Sequence, residues 1–269
     1  MSSISHQGTT ALVTGASSGI GLELSRLLAR DGCRLVLVAR DRDRLEKAAR
    51  ELRERFNVSV KVIPTDLSKP QAPEAIVREL EHASIEIDIL VNNAGYAVYG
   101  PFLKTDPGVE LEMMQVNMAS LTHLTKRLLP HMVKTKAGRI MNVASTAAFA
   151  PGPLMAVYYA TKAYVLSFSE ALADELRGTG VTVTALCPGA TETGFQKRAG
   201  AEDSMMFKPW KVMDAGTVAR VGYEGMMKGK TVVIPGLLNK LLVFSIRLGP
   251  RRYVTRIARL MQERRKPKS

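Results

Sequence analysis

Cysteine is almost missing from this chain: Cys33 and Cys187 are the only two in 269 residues. Each sits in an apolar run that reads as a strand, which argues against a disulfide framework and for a reducing compartment. No window reaches the 18 apolar residues that a transmembrane helix needs. Residues 1–10 are short and polar, without the charged start and long apolar stretch of a secretory leader. A cytoplasmic protein is therefore expected. The four histidines, His6, His82, His123 and His131, form no metal-ligand spacing with the cysteines, so no metal site is expected. Internal repeats, low-complexity segments and linkers that would split the core are also missing. Acidic residues are scarce at one end: from residue 240 onward ten Lys or Arg face a single acid, Glu263. Most of the net charge of +13 lies there, and the remainder of the chain is only mildly basic. No helix-turn-helix, zinc-finger or aromatic-rich RNA motif accompanies that basic cluster, so a nucleic-acid partner is not expected.

What is present suits one α/β domain. Hydrophobic residues make up 46% and charged residues 23%, values of a globular chain with a core large enough to fold alone. Short apolar runs at 11–13, 35–39, 58–64, 88–92, 139–145, 181–187 and 231–235 read as strands. Longer amphipathic stretches at 18–30, 41–56, 72–82, 107–133 and 157–177 read as helices. Continuous Val/Ile/Leu runs fit strands buried on both faces, and the alternation predicts a doubly wound parallel sheet with right-handed crossovers.

The first strand runs into Thr14-Gly15-Ala16-Ser17-Ser18-Gly19-Ile20-Gly21, and a helix follows. Glycines at such a turn let the backbone approach a pyrophosphate closely. The helix start adds free N–H groups and the positive end of its dipole. The Gly-x-x-x-Gly-x-Gly spacing resembles the cofactor loop of short-chain dehydrogenases/reductases. Three further stretches carry the same resemblance: Asn92-Asn93-Ala94-Gly95 after the fourth strand, Tyr158-x-x-x-Lys162 placed 13 residues after Ser145, and Pro188-Gly189 after the sixth strand. The resemblance covers residues 11–195, with 231–236 similar to the family's final strand.

That resemblance implies a Rossmann-like fold and an oxidoreductase passing a hydride between a nicotinamide cofactor and a carbonyl or alcohol carbon. It implies one catalytic domain over residues 8–236, with a substrate-side insertion at 194–228 and a basic extension at 237–269. The alternative is an NADP-binding sensor or scaffold without turnover, against which the complete Ser145, Tyr158 and Lys162 set speaks. An acidic residue about 20 positions past the glycines would select NAD. This chain has Arg40 there, whose guanidinium would pair with a 2′-phosphate and favour NADP. Two alternatives stay open: Arg40 begins a solvated helix, or Asp41 turns inward onto the ribose. Asp66-Leu67 resembles the family's adenine-binding pair; the alternative for Asp66 is a helix cap.

Tyr158 and Lys162 are four apart on a predicted helix, hence on one face. A lysine cation close to the phenol would lower its pKa and suit it to proton transfer. Ser145, at the carboxyl edge of the sheet, would hold the substrate oxygen. The resemblance implies that Asn117 holds a water linking Lys162 to solvent; the alternative is a buried polar contact. It also implies that Lys162 binds the nicotinamide ribose. Asn93, Ala94 and Gly95 would support the cofactor, Pro188, Gly189 and Thr191 would meet the carboxamide, and Thr193 would touch the pyrophosphate. Phe149, Leu154, Met155, Met205, Met206, Phe207, Trp210 and Met213 suggest a hydrophobic substrate, with core packing as the alternative. The family's mode of pairing implies a homodimer or homotetramer through the helices at 107–133 and 157–177. In the extension, Tyr253, Val254, Ile257, Leu260 and Met261 share one helical face, opposite Arg252, Arg256 and Arg259. Such a helix either packs on the catalytic domain or makes peripheral contact with an anionic membrane.

Overall fold

The computed structural model describes residues 8–194 and 212–263. Its strands are β1 (Thr10–Thr14), β2 (Arg34–Ala39), β3 (Val60–Pro64), β4 (Ile89–Asn92), β5 (Gly138–Val143), β6 (Val181–Leu186), β7 (Thr191–Glu192), β8 (Met213–Asp214) and β9 (Val232–Val233). Seven of them form one sheet in the order β3-β2-β1-β4-β5-β6-β9, every pairing parallel. β7 and β8 form a separate parallel pair. The helices are α1 (Gly19–Arg30), α2 (Arg42–Phe56), α3 (Ala72–His82), α4 (Pro107–Met114), α5 (Leu121–Lys134), α6 (Ala156–Glu175), α7 (Ala215–Met227), α8 (Leu237–Leu248) and α9 (Arg251–Gln262).

The continuous apolar strands are explained by two cores. Alternate side chains leave a strand on opposite faces. Ala11, Val13, Leu35, Leu37, Ile89 and Val91 pack with Leu24 and Leu28 of α1, Leu45 and Leu52 of α2, and Val218 of α7. Leu12, Val36, Val38 and Leu90 pack on the other side with Ile76 of α3, Leu124 and Leu128 of α5, and Leu172 of α6. This is the doubly wound parallel fold that the strand–helix alternation predicts. Helix starts follow capping chemistry: the Asp41, Asp106 and Asp214 carboxylates accept the backbone N–H groups of Arg44, Val109 and Thr217 at 3.0, 2.8 and 2.7 Å.

Several boundaries move. The expected helix at 107–133 is interrupted by a π-helical segment, Gln115–Ser120, between α4 and α5. The wider turn rotates two polar side chains inward: Asn117 meets Tyr96, and the Ser120 hydroxyl donates to the Leu67 carbonyl at 2.8 Å. Apolar periodicity carries no sign of that extra residue. The strand expected at 139–145 ends at Val143, because Ser145 leaves the ladder to cap the short 3₁₀ turn Thr146–Phe149. The last strand is only Val232–Val233.

Beneath the cavity, a polar ladder crosses the apolar core. Asn92 of β4 donates from Nδ2 to Thr125 Oγ1 (3.0 Å) and Asn142 Oδ1 (2.9 Å), and Asn142 donates on to Ser169 Oγ (3.0 Å). All four residues are buried. Asn142→Ala removes one of the two acceptors of the Asn92 amide together with the donor to Ser169 and leaves a buried gap, so it should lower the unfolding free energy by about 3 kcal/mol. Denaturant melts of the two proteins measure this, and a loss below about 1 kcal/mol would contradict the ladder's role.

Candidate active site

The strand order reverses between β1 and β4, and there the connecting segments splay apart at the carboxyl edge of the sheet. Asn93 and Ala94 hold the glycine loop in place. Their backbone N–H groups both donate to Thr14 Oγ1 at 3.0 Å, and Asn93 Nδ2 donates to the Thr14 and Gly15 carbonyls at 2.9 and 3.2 Å. Gly15 has φ +66°, and a Cβ on it or on Gly21 would collide with that Asn93 amide. The glycines are thus required by the clamp that shapes the loop. Ser18 precedes α1 without a side-chain cap, so the helix's first N–H groups remain available as donors.

A cavity of about 760 Å³ runs along this edge. At one end it is lined by Gly15, Ser17, Ser18, Gly19 and Ile20, flanked by Arg40, Asp66 and Leu67. Asn93, Ala94 and Gly95 line its middle, and Pro188, Gly189, Thr191 and Thr193 its far wall. Thr193 packs against Gly19 and so brings the segment after β6 onto the glycine loop. Arg40, Asp41 and Arg44 all line this end of the cavity; Asp41 Oδ1 caps α2 and its Oδ2 pairs with Arg44 at 3.3 Å. Asp66 is not a helix cap, since α3 starts at Ala72; its Oδ1 accepts from the Ser68 N–H at 3.0 Å within a turn.

Ser145, Tyr158 and Lys162 converge on the same cavity. Ser145 Oγ accepts from the Ala147 N–H at 3.1 Å and lies within hydrogen-bonding reach of the Tyr158 phenol. Lys162 Nζ donates to the Val143 carbonyl at 2.7 Å and sits 5.8 Å from the centroid of the Tyr158 ring. The electrostatics depart from the expectation. Burial pushes the Tyr158 phenol up to about 12, opposed only by the Ser145 hydroxyl, and burial pulls Lys162 down to about 8. The lysine's cation is committed to a carbonyl and does not offset the phenol's desolvation.

Asn117 and Gly21 stand behind the cavity wall. Asn117 Oδ1 accepts from the Tyr96 N–H (3.2 Å), and its Nδ2 donates to the Tyr96 carbonyl (3.0 Å) and Thr161 Oγ1 (3.1 Å). These contacts bury the Asn117 side chain next to Gly95, which also neighbours Lys162 Nζ. Met155 lines the cavity, and so do Tyr96, Val116 and Tyr159, which the sequence reading did not select. Tyr96 follows the Asn92–Gly95 run directly, and that adjacency was the available signal. Met205, Met206, Phe207 and Trp210 lie outside the described residues. Among the described residues, no group of three or more His, Cys, Asp or Glu is placed to hold a metal ion.

Comparison with known proteins agrees with this geometry. Residues 9–204 match the family model for short chain dehydrogenases. The human very-long-chain 3-oxoacyl-CoA reductase is 34% identical over 194 residues, 71% of this chain but only 62% of the human protein. An uncharacterised oxidoreductase of Staphylococcus epidermidis is 37% identical over 76% of this chain and 87% of its own length. A short-chain dehydrogenase from Sphingobium yanoikuyae in complex with NADPH superposes with a TM-score of 0.80 at 34% identity, covering 97% of this chain and 98% of that one. A bulky-bulky ketone specific alcohol dehydrogenase from Comamonas testosteroni gives 0.76 at 31%, covering 97% and 96%.

The enclosed lysine has a consequence for folding. In the unfolded chain Lys162 regains its ordinary pKa of 10.5, so between pH 8 and 10.5 the unfolded state binds the extra proton and stability rises with pH. Lys162→Met abolishes this titration. Without added nucleotide, the difference in unfolding free energy between the two proteins should shift in favour of wild type by about 3 kcal/mol across that window. Denaturant melts over a pH series measure it, and parallel profiles would contradict the burial of a titrating ammonium.

Proposed function

The chain belongs to the short-chain dehydrogenase family, and from that premise we propose that it is an NADP(H)-dependent oxidoreductase acting on a hydrophobic carbonyl or secondary alcohol. The observation that carries this reading is the convergence of Ser145, Tyr158 and Lys162 on a cavity that begins at the glycine loop. The loop's free N–H groups and the Arg40 guanidinium fit a dinucleotide with a 2′-phosphate, and Asp66-Leu67 fits its adenine. Lys162 would reach the nicotinamide ribose, and the backbone of Pro188, Gly189 and Thr191 the carboxamide. Thr193, packed on Gly19, would meet the pyrophosphate. When bound, a reduced nicotinamide would supply a hydride. As the carbonyl carbon accepts it, negative charge builds on the oxygen; Ser145 donates a hydrogen bond there and Tyr158 gives its proton. Asn117 positions the Tyr96 backbone and Thr161 at the foot of this arrangement.

Met155, Tyr96, Val116 and Tyr159 make an apolar wall beside Tyr158, which supports a hydrophobic substrate. Relatives named for bulky ketones and very-long-chain 3-oxoacyl thioesters agree with that choice. A homodimer through α4, α5 and α6 fits the outward side of α6, where the small residues Ala160, Ala163, Ser167 and Ala171 allow close helix approach. We further assign residues 8–236 to the catalytic domain and 237–269 to the extension.

Oxidation of NADPH and NADH over a panel of apolar and polar carbonyls tests the reading, and silence across the panel would reject it. Tyr158→Phe keeps the ring and removes the proton. Turnover should fall by roughly 10²–10⁴-fold while NADPH affinity stays close to wild type. Near-wild-type turnover would sink the assignment. Arg40→Asp should weaken NADPH binding tenfold or more, the worth of roughly one charge-assisted pair, and leave NADH unharmed. An unchanged NADPH-to-NADH ratio would move phosphate recognition to Arg44.

A further inference from the structure

The two closing helices carry an apolar surface that no described element covers. α8 has one buried side chain, Val243. On the opposite side, Leu237, Leu238, Leu241, Phe244 and Leu248 are 72, 71, 56, 62 and 73% exposed. Lys240 and Arg247 flank that face. Gly249-Pro250 turns the chain into α9, which is pinned where the Tyr99 hydroxyl donates to the Gln262 carbonyl at 2.7 Å. The apolar stripe of α9 is split: Val254 and Met261 are half-buried, whereas Tyr253, Ile257 and Leu260 face water beside Arg252, Arg256 and Arg259. No Asp or Glu occurs between Leu237 and Gln262.

A monomer in water seldom keeps so large an apolar patch. A second copy of the chain would bring the same cationic rim against it, like charge on like. An anionic bilayer meets both requirements at once, with acyl chains for the leucines and Phe244 and acidic headgroups for the Lys and Arg rim. No described helix is long and apolar enough to cross a membrane, so these helices would lie on it. We infer that α8 and α9 seat the protein on an anionic membrane surface. This goes beyond the catalytic reading and does not rest on it.

The test is co-sedimentation of the full chain with phosphatidylcholine vesicles containing phosphatidylserine, against pure phosphatidylcholine, at low and high salt. Binding should need the anionic lipid and fade as salt rises. Changing Arg252, Arg256 and Arg259 together to Gln should weaken it roughly a hundredfold. The Leu238→Ser, Leu241→Ser double variant should weaken it tenfold or more. Both sets alter exposed side chains, so thermal melts should match wild type and separate lost binding from lost folding. Equal binding to neutral vesicles, or none to anionic vesicles at low salt, overturns the inference. An oligomer that the leucine variant dissolves, without vesicle binding, overturns it too and gives the face to a second copy.

Discussion

The hydroxyl of Thr14 joins the two halves of the sheet at the point where its strand order reverses. It accepts both the Asn93 and Ala94 N–H groups, while the Asn93 amide reaches back to the Thr14 and Gly15 carbonyls. β1 and β4 would pair without this knot, since their backbone ladder is independent of it. The segments after them would not be held in register with each other. The knot leaves no room for side chains at Gly15 and Gly21, sets the start of α1, and carries Gly95 and Tyr96 to Asn117. The phosphate-type loop and the far end of the cavity are two consequences of one polar contact.

Burial governs the remainder of the site. The sheet is covered on both faces, so groups at its carboxyl edge sit over a dry interior. Desolvation favours neutral forms, and it raises the phenol of Tyr158 while lowering Lys162. The lysine stays at the edge because the Val143 carbonyl, freed where β5 ends, takes its proton-bearing nitrogen. Strand ending and ammonium placement thus coincide at Val143, the last residue of β5, whose carbonyl accepts from Lys162 Nζ. The same dryness pushes the Cys187 thiol up to about 12, so the neighbouring sulfur stays protonated.

Elements whose signal is local were legible in the residues. Alternating burial makes Leu12, Val36 and Leu90 as apolar as Val13, Leu37 and Val91, which marks parallel strands without any knowledge of the partners. The Gly-x-x-x-Gly-x-Gly turn and the Tyr158–Lys162 spacing likewise need only the chain itself. Long-range contacts were not legible. The π segment exists because Asn117 and Ser120 find partners at Tyr96 and Leu67, 21 and 53 residues away. Asp41 carries the same carboxylate whether or not it caps α2, and only the position of the Arg44 N–H shows the cap. Helical spacing puts Lys162 and Tyr158 on one face but says nothing of the Val143 carbonyl, 19 residues upstream, that the ammonium also meets.

The closing helices obey a different rule from the rest of the fold. In the catalytic domain an apolar stripe finds a sheet to cover, so each helix has one wet side. α8 has its leucines on the side away from the sheet and is held by Val243 and by Asn239, whose amide donates to the Pro235 carbonyl at 2.8 Å. Those leucines are exposed rather than packed on the described domain, which α8 meets by its other edge. α9 shows where the tail does engage: Gln262 is fully buried, its carbonyl takes the Tyr99 hydroxyl, and its side chain lies against Tyr159. Tyr159 in turn stands edge-on to Tyr158 at 6.1 Å. The tail thus presents one surface to solvent and another to the wall of the cavity, where Asn239 lies against Gly189 and Gln262 against Tyr159.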